Sequence, residues 1–126
     1  GLNNQEVTMH DTRPTTTFIA HEKALQAAEI ATQLVFRVPA PLKSLADQVV
    51  RSASSVPANL AEGAGRTGKD RAYHWRIAYG SAKEVDTHLR LLIGTGAIDA
   101  TRTEIAIRLF DDVRAMTWRL LHPSSE

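Results

Sequence analysis

Apolar residues recur three and four positions apart along most of this chain, the spacing of one face of an α-helix. A first such run covers residues 18–38. Phe18, Leu25, Ala28, Ala31, Leu34, Val35 and Val38 make its apolar face, and His21, Glu22, Lys23, Gln26, Glu29, Gln33 and Arg37 flank or oppose it. Pro39 and Pro41 stop that run and pre-set the first turn of the next. The second run, residues 42–64, carries Leu42, Leu45, Ala46, Val49, Ala53, Val56, Leu60 and Ala64 straight through Pro57. Gly63, Gly65 and Gly68 then supply a terminator and a tight connection. The third run, residues 69–93, has the most regular stripe: Trp75, Ala78, Ala82, Val85, Leu89 and Leu92. Gly80 in its middle is less favourable than alanine by about 1 kcal/mol, which predicts a close backbone approach there. Gly94 and Gly96 end it, and Thr101 with Glu104 reads as a capping box opening a fourth helix that runs to residue 121, before Pro123.

Four helices with short connections predict an all-α fold, an antiparallel up-down-up-down four-helix bundle with a proline-bent second helix. Residues 1–16 show no period and predict a disordered arm, residues 17–122 the bundle and residues 123–126 a short tail. The proline is the informative position. It removes one backbone hydrogen bond, leaves the Ala53 carbonyl without its donor and costs about 3 kcal/mol, so the fold must compensate it. Arg51, Ser55, Asn59 and Glu62 lie close to one helical face beside Pro57, at steps of four, four and three. Ser or Asn side chains there can reach carbonyls that the proline leaves unpaired, and Glu62 can pair with Arg51, Arg66 or a residue of the third helix. With Pro57 and Gly63 these residues form a kink motif, read as structural in preference to a ligand cleft.

The fourth helix carries two apolar stripes. Ile105, Leu109, Val113, Met116 and Leu120 make one, and Ile107, Phe110, Trp118 and Leu121 lie away from it. Four-helix bundles have no central helix, so the second stripe is assigned to a contact with another subunit.

The chain's 126 residues suit one domain. It has no cysteine, which excludes disulfides and thiolate chemistry. No stretch approaches the roughly 18 apolar residues that span a bilayer, and a cytoplasmic location with no membrane partner is the expectation. Fifteen Lys and Arg against fourteen Asp and Glu give a formal charge of +1, too balanced for a nucleic-acid binder on totals alone. Locally the balance breaks. Arg66, Lys69, Arg71 and Arg76 face only Asp70 and interleave with Tyr73, His74 and Trp75. Solvated helix-end charge explains most such clusters; contact with phosphates is the sharper alternative.

Catalytic and metal signatures are weak. Residues 63–69 match most of a phosphate-binding loop, but Asp70 replaces the hydroxyl residue that should hold magnesium, and the preceding segment is helical where that loop needs a strand. The histidines are scattered; Glu84 and His88 are one turn apart, yet no Glu-x-x-His pair of a di-iron bundle occurs. No cofactor, metal or enzymatic activity is expected.

The run Ser55-Val-Pro-Ala-Asn-Leu-Ala-Glu-Gly63, followed by Gly65-Arg66 and later by Gly80-Ser81, Glu84 and Thr87, resembles the four-helix-bundle proteins encoded in intervening sequences of bacterial large-subunit ribosomal RNA genes. The accessory variability proteins of diversity-generating retroelements belong to the same family. The resemblance covers residues 18–121. It implies an antiparallel four-helix subunit, closed rings of five and no recognised catalysis; in the retroelement branch it implies binding of nucleic acid and of a reverse transcriptase through basic surface. The expectation is therefore a homo-oligomeric scaffold or accessory protein, with RNA, DNA or a reverse-transcriptase-like protein as partner. Arg66, Lys69, Arg71 and Arg76 are its candidate nucleic-acid residues. A protein-protein assembly module without nucleic-acid binding is the alternative.

Overall fold

The computed structural model describes residues 15–124. The arm expected over residues 1–16 falls mostly outside that range, as does the end of the expected tail. Thr15 and Thr16, placed in the arm by the sequence, instead open the first helix. The Thr15 hydroxyl accepts a hydrogen bond from the Phe18 N–H at 3.1 Å, and α1 runs Thr16–Leu34.

Helix α1 ends four residues earlier than the apolar pattern suggested. A residue before proline is pushed out of helical geometry, and Pro39 and Pro41 lead instead into a single 3₁₀ turn over Ala40–Leu42. Helix α2 follows directly over Lys43–Ala64, uninterrupted at Pro57. Helix α3 spans Gly68–Thr95 and stops where Gly96 takes a left-handed φ of 78°, which glycine adopts without strain. Helix α4 spans Ala100–Leu121, and its cap is Asp99, not Thr101: the Asp99 carboxylate accepts from the Arg102 N–H at 2.7 Å. The capping box was read two residues too late, because an aspartate fills the same role alone.

Each helix packs on two neighbours in the cyclic order α1–α2–α3–α4. Asn59 meets His74 and Ser55 meets Ser81 across α2 and α3, while Lys23 meets Asp112 and Gln33 meets Arg102 across α1 and α4. In both pairs residue numbers rise on one helix as they fall on the other, so the paired helices run antiparallel.

The core of α3 is the stripe read from sequence, from Trp75 to Leu92. Helix α1 differs. It buries Ala20, Ala24, Ala27 and Ala31 and leaves Phe18 54% and Leu25 44% exposed. A row of methyl side chains brings the α1 backbone close to its neighbours, and that geometry turns the larger residues outward. Helix α4 also departs from the two-stripe reading. Ile107 and Phe110, assigned to an oligomer contact, are 2% and 1% exposed inside the subunit, whereas Ile105 from the expected core stripe is 51% exposed. Because α4 touches both α3 and α1, its buried surface is one broad arc through Ala106, Phe110, Val113 and Thr117, with Ile107 and Leu109 on its two flanks. Leu121 packs partly against the core, and Trp118 remains 49% exposed.

Gly80 does not mark a close approach: a β-carbon there would meet nothing within 4 Å. Gly80→Ala should therefore raise stability by up to about 1 kcal/mol, the helix-propensity difference. Thermal melting followed by circular dichroism should show a higher Tm; a lower one would mean an unrecognised contact at this face.

Candidate functional site

The kink motif resolves into two faces of α2. Pro57 is buried toward α1 and borders a shallow groove with Leu25, Ala28, Ala58 and Ala61. Ser55, Asn59 and Gly63 face α3 instead, one turn apart. The Asn59 side-chain amide donates to the Ser55 carbonyl at 3.0 Å and to the Ser55 hydroxyl at 3.1 Å. Its amide nitrogen being the donor, Oδ1 faces His74 and accepts from Nδ1 at 2.9 Å, which fixes the proton on that ring nitrogen. The Ser81 hydroxyl donates to Ser55 at 2.9 Å and closes the chain. The carbonyl reached by Asn59 is thus that of Ser55, not that of Ala53 whose donor the proline removes. The polar residues pin α2 to α3.

The pinning is tightest at Gly63. A β-carbon on this buried glycine would lie 2.5 Å from Trp75 Cδ1 and 2.6 Å from Nε1. The indole brings its pyrrole edge against the backbone and donates from Nε1 to the Leu60 carbonyl at 3.3 Å. One turn back on α3, Arg71 donates from Nε to the Gly63 carbonyl at 3.2 Å and from Nη2 to the Ala64 carbonyl at 3.3 Å. Its guanidinium sits 5.4 Å from the Trp75 ring centre, within cation–π range. The Gly65 N–H takes the Ala61 and Glu62 carbonyls, and the Arg66 N–H takes that of Gly63 as well. All four terminal carbonyls of α2 therefore have partners.

This changes the basic cluster. Arg71 serves the end of α2. Arg66 holds Glu62 through Nε at 3.0 Å and Nη2 at 2.7 Å, and that contact keeps the Glu62 carboxyl below its usual range and raises the Arg66 guanidinium. Lys69 and Arg76 are exposed and take part in no ion pair among the described residues. Arg51 bonds Gln48 at 2.6 Å and does not meet Glu62. The near-match to a phosphate loop is a helix end, a turn and a helix start, with no strand before it.

Among the described residues no three His, Asp or Glu side chains gather closely enough to hold a metal, and no helix is long and apolar enough to cross a membrane. His88 and Glu84 approach to 3.4 Å as a surface pair. The Ser81–Ser55–Asn59–His74 network contains hydroxyls and an imidazole, but His74 engages the Asn59 amide and neither Ser55 nor Ser81.

Exposed apolar residues occur along the α1–α2 seam as well as at Tyr73, Leu91, Ile105 and Trp118 on the other two helices. Phe18 and Leu25 border adjoining grooves floored by Leu60, Ala61, Pro57 and Ala58. Sequence reasoning placed Phe18 and Leu25 in the core. The four alanines of α1, spaced four, three and four apart, were the signal that could have corrected it.

A sequence model of the family described as "23S rRNA-intervening sequence protein" matches residues 17–119. Among solved structures, a protein with unknown function from the S23 ribosomal protein family of Bacteroides thetaiotaomicron VPI-5482 superposes with a TM-score of 0.76 at 22% identity, covering 85% of this chain and 98% of that one. That likeness carries the fold. No curated protein matches the chain.

Two substitutions test the seam. Gly63→Ala gains about 1 kcal/mol of helix propensity but overpacks a hydrogen-bonded indole, at about 1–3 kcal/mol, so its Tm should fall where that of Gly80→Ala rises. Asn59→Ala strips His74 and Ser55 of a partner and should cost about 1–3 kcal/mol in urea denaturation. An unchanged midpoint would show that the polar chain does not hold the helices.

Proposed function

The chain belongs to the 23S rRNA-intervening sequence protein family, and we propose that it works as a non-enzymatic, self-assembling scaffold or accessory protein. One observation carries this reading. Helix α1 fills its share of the core with alanines and leaves Phe18 and Leu25 beside the Pro57, Ala58 and Ala61 groove on the outside. Contiguous apolar surface of this kind marks interaction sites in soluble proteins, and a second copy of the chain is the occupant we assign to it. Rings of five, implied by the resemblance of the kink motif, are the favoured assembly. Leu91 on α3 and Ile105 on α4 are exposed aliphatic residues that suit the other side of such a contact. Ile107 and Phe110 are spoken for by the core.

Nucleic acid, or a protein that handles it, is the second partner in this proposal. Lys69 and Arg76 support it, because both are exposed and neither has a carboxylate partner among the described residues. Arg66 and Arg71 support it less, being occupied by Glu62 and by the end of α2.

Light scattering tests the assembly. The wild-type chain should have a solution mass several times 13.8 kDa. Phe18→Glu combined with Leu25→Glu should lower that mass to the monomer value while leaving the helical circular-dichroism signal intact. A monomeric wild type at micromolar concentration would overturn the reading.

A further inference from the structure

The α3–α4 seam, on the opposite side of the bundle from the apolar groove, has a different chemistry. Residues 72–83 of α3 and 113–121 of α4 contain no aspartate or glutamate. They carry Arg76, Lys83, Arg114 and Arg119 beside this seam, in a protein whose overall charge is only +1. Arg76, Lys83 and Arg119 take part in no ion pair among the described residues. Arg76 and Lys83 flank Tyr79 on the exposed side of α3, and Arg119 lines a surface cleft of about 450 Å³ with Tyr79, Asp111, Arg114, Ala115 and Trp118. Its one carboxylate is neutralised, since Asp111 accepts from Arg114 at 3.1 Å.

Aromatic rings stand among these cations. Trp118 is 49% exposed and already stacks on a flat heteroaromatic ring: the His122 imidazole lies 4.1 Å away, with 22° between the planes. Lys83 Nζ sits 5.9 Å from the Tyr79 ring centre. Half-open tryptophan interleaved with unpaired cations is the pattern that binds single-stranded nucleic acid: rings stack on bases of any sequence, and the cations follow the phosphates. A duplex keeps its bases inside and offers no ring to Trp118. A hydrophobic protein partner gains nothing from the excess positive charge.

We propose that the cleft between α3 and α4, built on Trp118 and Tyr79 and rimmed by Arg76, Lys83 and Arg119, binds single-stranded nucleic acid by base stacking. The inference deepens the nucleic-acid part of the proposed function and rests on it. It moves the contact surface from the α2–α3 turn to this seam.

Fluorescence anisotropy of labelled oligouridine, oligothymidine and a mixed-sequence RNA duplex, with the full chain at about 50 to 200 mM salt, tests it. Either single strand should bind more tightly than the duplex and should quench tryptophan emission, which comes from Trp118 at the surface and from the buried Trp75. Trp118→Ala should weaken binding roughly ten-fold while Trp118→Phe, which keeps a stacking ring, retains most of it. Arg76→Ala and Arg119→Ala should each lower the slope of log affinity against log salt by about one. Binding of the duplex alone would overturn the seam proposal and leave the nucleic-acid reading standing. Binding of no nucleic acid would remove both. A Trp118→Ala protein with unaltered affinity but a changed mass in light scattering would reassign the cleft to self-contact.

Discussion

The Trp75 indole occupies the space that a β-carbon on Gly63 would need, and the arrangement of α2 and α3 depends on that fit. Helices approach this closely only where one of them lacks a side chain. Trp75 uses the space to reach the Leu60 carbonyl, while Arg71 takes the next exposed carbonyls. The C-terminal end of a helix carries partial negative charge, so a guanidinium there is favoured electrostatically as well as by hydrogen bonding. Once this end is fixed, the remaining contacts follow at one-turn intervals. Asn59 falls opposite His74, and Ser55 opposite Ser81. The motif from Ser55 to Gly63 is thus a set of register pins, each needing its residue type for a separate reason.

Pro57 belongs to the other face of the same helix. A helix that uses one face for hydrogen bonds to α3 still has to meet α1, and there proline offers a compact apolar ring with no N–H to satisfy. The alanine row of α1 lets the two backbones close over it. The same closeness has a consequence outside: the fully buried positions of α1 are alanines, Ile30 and Leu34 pack only partly against the core, and Phe18 and Leu25 stand at the rim of the seam. Tight internal packing and an apolar exterior are one feature here.

Much of this was legible in the sequence. The four helices, the stripe of α3 and the glycine that ends it follow from period and turn chemistry. The partners of the kink residues were not, because Arg51, Asn59 and Glu62 each had several acceptors or donors within reach and only the tertiary approach of α3 selects among them. The outward face of α1 was misread for a related reason. A reading that weights large residues puts Phe18 and Leu25 in the core, while packing distance favours Ala20, Ala24, Ala27 and Ala31. On α4 the error ran the other way. Ile107 and Phe110 looked like surplus because a helix flanked by two neighbours buries a wider arc than a single stripe. The basic cluster was visible as charge, but its division into structural and free members was not, since Arg71 and Lys69 differ only in what lies opposite them.

The two candidate surfaces occupy opposite seams, and their chemistry bears on how an assembly would close. A ring of five has no two-fold axis between neighbours, so each interface joins two different patches. The α1–α2 groove would then meet some other exposed apolar residue of the next copy. Leu91 and Ile105 are aliphatic and suit a packed protein contact. Trp118 stands beside Arg119, which takes part in no ion pair among the described residues, and burying that guanidinium in the contact would strip its hydration without a carboxylate of its own to replace it. That penalty argues for keeping Trp118 outside the interface. In a closed ring the α3–α4 clefts would recur once per subunit, and contacts too weak to hold a strand singly would hold it together through effective concentration.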